Sequence, residues 1–348
     1  MKSRSILLLA RLSLFCIFLV IIAGSVVRMT GSGMGCPDWP KCYGYSIPPT
    51  SIEPLMFESG KQFGKGQMVI LNDTLWVANE TMTASVNFDR TLWHKYPKHN
   101  YAIFNATHTW IEYINRLATV LLGIPVMLLF GASVFRLIRK KDYYTFLWSG
   151  LALLMLGFEA WLGKVVVDGN LKEHSITYHM LGSLALVAFI IMVIIRHGNI
   201  ARGKITPPVV KIVWTTLLVF SFIQVMMGTQ VRERVDVVAK AGSERGTWID
   251  QLPAIFLVHR SFSILVVILC AVLYLQSKKH NQPMAMVKIL IAILGLEVAA
   301  GVGLNYFGMP AFLQPTHLFL GVVLFASSYY AVMGNKNFGQ HTVNSNEV

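Results

Sequence analysis

Three histidines, His179, His259 and His317, stand inside long apolar stretches, where an imidazole is costly unless it bonds or binds something. Two of them share an upstream signature. Glu159 precedes Gly163 by four residues and His179 follows that glycine by sixteen; Glu297, Gly301 and His317 repeat both intervals. Gln224 stands four before Gly228, which leads on to Val231-Arg232, and Gly24 leads to Val27-Arg28 at the same offset. Val258-His259-Arg260 matches Ile114-Asn115-Arg116 in form, so Asn115 takes the fourth equivalent position. A single intramembrane histidine reads as a helix-to-helix hydrogen bond or a proton relay. Three at repeat-equivalent positions point instead to heme iron, which bundles bind through imidazoles on facing helices. The expected pair is His259 with His317. In the other half Asn115 would face His179, and because a carboxamide is a poor iron ligand, that half is expected to hold a heme with one protein ligand and an open face.

The remaining chemistry-bearing residues gather near these positions. Glu112 lies one turn before Asn115 on the same helix face, and a carboxyl group in a membrane helix is either functional or a protonated structural partner. Glu159 and Glu297 face the same choice, with a structural role between helices favoured by their matched positions. His108, one turn before Glu112, either replaces the missing ligand or marks the water interface; the interface reading comes first. Arg28 and Arg232 end their spans and could pair with heme propionates through bidentate guanidinium contacts, or simply snorkel to the surface. Cys36 and Cys42 flank Pro37-Asp38-Trp39-Pro40-Lys41 and can close a small disulfide, structural or redox-active. Zinc would need further ligands, for which only His94, His99 and His108 are near. Cys16 and Cys270 read as packing residues.

The elements that position these residues are membrane helices. Of 348 residues, 54% are hydrophobic and 14% charged, which excludes a water-soluble globule. Apolar runs bounded by charge predict eight spans, near 6–27, 109–131, 143–165, 176–195, 209–230, 254–276, 286–305 and 314–333. Arg136, Arg139, Lys140 and Lys141, then Arg196, Arg202 and Lys204, then Lys278 and Lys279, then Lys336 follow the even spans, and Lys2 and Arg4 precede the first. Short basic connections stay inside, so both termini are expected in the cytoplasm and the net charge of +13 reflects topology rather than nucleic-acid binding. The first span is too long for a signal peptide and reads as an uncleaved anchor in the inner (cytoplasmic) membrane. The fold expected is an all-α polytopic membrane protein of two pseudo-repeated four-helix bundles. Residues 1–205 form the first half, 206–334 the second and 335–348 a polar tail. The large loop 28–107 falls on the outer side, with a hairpin expected around Val69 to Val77. Three Asn-x-Thr sequons in it, at Asn72, Asn79 and Asn105, carry little meaning in a bacterial host.

The stretch from Gly24-Ser25-Val26-Val27-Arg28 through Gly31-Ser32-Gly33-Met34-Gly35-Cys36-Pro37-Asp38-Trp39-Pro40-Lys41-Cys42 resembles the first span and outer loop of the heme A synthase family. Glu112-Tyr113-Ile114-Asn115-Arg116, Val258-His259-Arg260 and Leu313-Gln314-Pro315-Thr316-His317 extend the resemblance, in order, from about residue 5 to 333. It implies an eight-helix enzyme that oxidises a methyl group of heme O to the formyl group of heme A by successive hydroxylations. By position, His259 and His317 would ligate a heme b acting in electron transfer. His179 would belong to the heme O site, with Glu112 close to the chemistry. The family commonly has histidine where this chain has Asn115, which questions six-coordinate substrate binding. A second cysteine pair, between spans five and six in some members, is absent here, so Cys36 and Cys42 have no such partner. The partners implied are heme O and the lipid bilayer; heme O synthase as a handover partner and a second copy of the chain stay open, and nucleic acid is not expected. The competing reading is a di-heme, quinol-linked electron-transfer protein, which would share the histidines and differ in product.

Overall fold

The computed structural model describes residues 3–100, 102–169, 174–198 and 206–337. Lys2, Arg202, Lys204 and the tail beyond Asn337, on which part of the topology reading rests, lie outside the described residues. Eight helices among them are long and apolar enough to cross a membrane. They are α1 (Ser3–Thr30), α2 (Ala106–Lys140), α3 (Tyr143–Asp168), α4 (Ser175–His197), α5 (Pro208–Lys240), α6 (Ala254–Lys279), α7 (Met284–Tyr306) and α8 (Leu313–Asn337). The chain is an all-α polytopic membrane protein.

Local chemistry starts and stops several of these helices. Asn105 caps α2 by accepting from the backbone N–H of His108 at 3.1 Å, and Asp142 caps α3 through Thr145. Pro207 and Pro208 open α5, where a missing N–H costs nothing. The largest departures from the expected spans are at the ends of α2 and α5, which continue past 131 and 230 to Lys140 and Lys240. Hydropathy ends where the hydrocarbon ends, whereas the i to i−4 hydrogen bonds have no such boundary. At 1.5 Å per residue, helices of 35 and 33 residues outrun a hydrocarbon layer of about 30 Å.

Each helix packs on the next within α1–α4 and within α5–α8, and α1 also meets α4 as α5 meets α8. The two groups touch through α4 with α5 and α8, and through α1 with α8. One core runs through α1 to α4 and takes in Val225, Val322, Phe325 and Ala326 from across that contact; a second fills α5 to α8. Helix α4 is buried almost all round from Leu184 to Ile195, as expected of the element shared by its own bundle and the next.

The loop between α1 and α2 is a small β structure. Strands β1 (Gln62–Phe63) and β4 (Met82–Thr83) pair antiparallel, and β2 (Met68–Leu71), β3 (Thr74–Ala78) and β5 (Trp93–Lys95) form an antiparallel sheet in that order. The hairpin expected around Val69 to Val77 is β2 and β3, turning at Asn72 and Asp73, both with positive φ. Phe57 packs edge to face on Phe88 and Trp93, Trp76 packs edge to face on Phe88, and Phe88 stacks on Trp93.

Candidate functional site

The residues singled out by spacing meet in pairs across neighbouring helices. A methyl group added at Gly228 of α5 would lie 3.3 Å from Cε1 of His259 on α6, and one at Gly301 of α7 would lie 3.2 Å from Cε1 of His317 on α8. Gly163 of α3 stands in the same relation to His179 of α4 at 4.0 Å, and Gly24 of α1 to Oδ1 of Asn115 of α2 at 3.7 Å. In all four pairs the glycine of the odd helix faces the even helix's side chain, and at Gly228 and Gly301 the approach is too close for a side chain without a shift.

His259 and His317 come together, with ring centroids 6.2 Å apart and planes nearly perpendicular. Two metal–nitrogen bonds of about 2 Å laid end to end would set imidazole centres about 6 Å apart. The spacing therefore fits one iron between the two rings. Among the described residues no group of three or more histidine, cysteine or acidic side chains could hold a bare metal ion. A porphyrin, which brings its own four nitrogens, needs only the one or two donors that each bundle offers.

Buried polar atoms without a partner among the described residues mark the same positions: Asn115 Oδ1, Glu159 Oε1, Gln224 Oε1, His259 Nδ1 and Glu297 Oε2. Such atoms are rare in a finished interior and point to a missing ligand or water. Glu159 and Glu297 each reach from one helix to a histidine of the next, as a role between helices requires. Glu159 Oε2 lies 2.8 Å from His179 Nδ1, while His317 Nδ1 lies 3.2 Å from both the carboxylate and the backbone oxygen of Glu297.

Arg28 and Arg232 also converge, on Asp236 of α5, at 3.4 and 2.6 Å. Arg232 further donates to Gln314 Oε1 at 2.6 Å and to the carbonyl of Arg28 at 2.8 Å, and Arg28 to Ser175 Oγ at 3.2 Å. Arg232 Nε is left without a partner among the described residues. Arg232 and Asp236 stand at an ion-pair spacing on one helix, whereas the contact with Arg28, 208 positions away, is made only by the fold.

Cys36 and Cys42 form a disulfide, and the loop it closes is pinned to α2. Glu112 Oε2 accepts the backbone N–H of Cys36 at 2.9 Å, and Oε1 pairs with Arg116 at 2.5 Å. Arg116 reaches on to the carbonyls of Asp38 and Lys41, both at 2.8 Å, and of Cys36 at 3.3 Å. The Thr109 hydroxyl donates to the Gly35 carbonyl at 2.7 Å, and Gly35 lies so flat on the backbone of His108 and Thr109 that no side chain would fit there. His108 thus sits beneath the loop at the first turn of α2. Asp38 braces the loop from inside by accepting the N–H groups of Tyr43 and Gly44. Burial pushes its carboxyl up, against the pull of those N–H groups and of Arg116. Arg116 is matched with Arg260 by the repeat, but its hold on the loop is not legible there; its position one turn after Glu112 is an ion-pair spacing.

A family model described as "COX15-CtaA: Cytochrome oxidase assembly protein" matches residues 8–80 and 65–329. Among curated proteins, the chain is similar to the heme A synthase of Rickettsia prowazekii (strain Madrid E), 23% identical over 356 residues, covering 90% of this chain and 92% of that protein. The heme A synthase of Rickettsia canadensis (strain McKiel) is 22% identical over 360 residues, covering 90% and 93%. That of Shewanella oneidensis is 24% identical over 188 residues, covering 54% of this chain and 44% of its own length.

Proposed function

The chain belongs to the COX15-CtaA family of cytochrome oxidase assembly proteins, and on that premise we propose that it works as a heme A synthase. It is an oxidoreductase that takes heme O as substrate and oxidises one methyl group of the porphyrin to a formyl group by successive hydroxylations. The family match carries the activity, and the observation in the fold that supports heme as its object is the His259 and His317 pair, 6.2 Å apart, with a third histidine beside a glycine in the other bundle.

The division of labour follows from the residues. His259 and His317 would hold a heme b, which would supply one-electron redox chemistry. His179 would hold heme O, and Asn115, a carboxamide, would be a weak donor beside it. Arg28 and Arg232 meet the propionates with the donors that Asp236 does not occupy. Glu112 acts at the chemistry by holding the Cys36–Cys42 loop over the first bundle, where it covers the substrate's exposed edge and keeps water out. The site lies in the membrane because the substrate's isoprenoid tail gains about 0.8 kcal/mol for each methylene buried in hydrocarbon. The protein lies in the inner membrane with this loop outside, by the positive-inside rule. Heme O synthase is the donor of substrate.

Expression in a host that makes heme O but no heme A, followed by heme extraction, tests the proposal. Heme A is the expected product. Unchanged heme O beside a low-spin heme b spectrum would overturn it in favour of a quinol-linked di-heme electron carrier.

A further inference from the structure

We infer that Glu159 and Glu297 are positioning residues that set the donor strength of His179 and His317, while His259 is left without such backing. This deepens the proposed function and rests on its assignment of these histidines to iron.

A carboxylate that accepts from Nδ1 holds the imidazole proton there, and at His317 the backbone carbonyl of Glu297, which can only accept, faces the same nitrogen at 3.2 Å. His179 Nδ1 is 2.8 Å from Glu159, and His317 Nδ1 is 3.2 Å from the Glu297 carboxylate. With the proton on Nδ1, Nε2 is the free donor of both rings, in the known manner of metal-bound histidines whose other nitrogen is tied to a carboxylate. The carboxylate draws the Nδ1 proton toward itself and makes the ring a stronger electron donor.

The arrangement is built rather than incidental. A side chain at Gly182, one turn after His179, would collide with Oε1 of Glu159, and a methyl at Gly321, one turn after His317, would lie 3.2 Å from Oε1 of Glu297. A glycine on the histidine's own helix therefore admits each carboxylate. Gln224 holds the corresponding place beside His259 and does something different. Its amide donates to the backbone carbonyl of His259 at 2.9 Å, and His259 Nδ1 stays unpartnered among the described residues. Of the two ligands in the second bundle, one is backed by a carboxylate and one is not; in the first bundle, the one histidine is backed.

A negative charge behind an axial ligand favours the oxidised over the reduced iron, so Glu297 holds the potential of the second-bundle heme down. A carboxylate that only tied α7 to α8 would not need to move that potential. The test uses the purified full-length protein with its heme, comparing wild type with Glu297→Gln and Glu297→Ala by redox titration of the low-spin absorption band. Expected is retention of the low-spin band in Glu297→Gln with the reduction equilibrium shifted about tenfold toward the reduced form, about 59 mV for one electron. In the first bundle, Glu159→Gln and Gly182→Ala should each raise the C–O stretching frequency of the carbon monoxide complex of bound, reduced heme O, because a weaker donor returns less charge to the ligand. Wild-type protein without a low-spin heme would overturn the ligand assignment and this inference together. A heme-loaded wild type, with the potential unmoved in both Glu297 variants, would overturn the inference alone.

Discussion

The two bundles differ most where they most nearly match. In the second, His259 and His317 confront each other across 6.2 Å, and the connections at that end are short helical turns. In the first, an asparagine stands in one of the two histidine positions, and the long loop is fastened over the same end through Glu112, Arg116, Thr109 and the Cys36–Cys42 disulfide. On the proposed assignments, two imidazole donors suit a bundle that holds a heme and passes electrons, and a single donor beneath a fastened loop suits one that changes the molecule it holds. The same glycine-and-partner arrangement recurs in both bundles, and they differ in Asn115 against a histidine and in the loop fastened over the first.

The comparison can be broken most severely at the second bundle. His317→Ala or His259→Ala is expected to abolish the low-spin heme signal, read in the reduced-minus-oxidised spectrum; an unchanged signal in both variants would show that the rings do not share an iron. Next in size is Glu112→Ala. Breaking a buried ion pair costs about 3–5 kcal/mol, and here it also orphans the Cys36 N–H, so the loop should come away from α2. Heme A formed per heme b present should fall at least roughly tenfold, the effect of one misaligned catalytic element, whereas equal turnover would remove Glu112 from the chemistry.

Asn115→His sharpens the contrast from the other side. It should give the first bundle a second strong donor and turn bound heme O into a six-coordinate, low-spin form, visible as a doubled low-spin band. No new band would mean that Asn115 does not face the iron. The smallest effect is expected of Asp236→Asn, about 1 kcal/mol for a partly exposed ion pair. Arg232 keeps Gln314 and the Arg28 carbonyl, but Arg28 keeps only Ser175, so retention of heme O should suffer more than retention of heme b. Pyridine hemochrome analysis after washing gives the ratio.

Much of the candidate site was readable without coordinates because its parts obey local rules. Glu159, Gly163 and His179 repeat the intervals of Glu297, Gly301 and His317, and such intervals survive whatever the tertiary packing does. The eight spans follow from apolar runs, and the β2–β3 hairpin from alternation around a tight turn. The long-range contacts of Arg116 and Asp236 are illegible for the opposite reason: Arg116 is an ordinary helix charge until the loop folds over it, and Asp236, besides Arg232 one turn before it, pairs with Arg28 on a distant helix. The two glutamates were seen, but their partners were not, since an interval of twenty residues along the chain does not say that two side chains touch.

The order of apolar and charged residues fixed on its own where helices cross the membrane and which residue types recur in them. Hydrocarbon burial and backbone hydrogen bonding act over a few neighbouring residues, so linear order suffices. Only the folded chain decided that the rings of His259 and His317 meet, that two carboxylates bond imidazole Nδ1 atoms, and that Glu112 and Arg116 clamp a loop from 70 to 80 positions away. Those contacts depend on how helices rotate and pack against one another, and a carboxylate's role is set by the group it happens to face there.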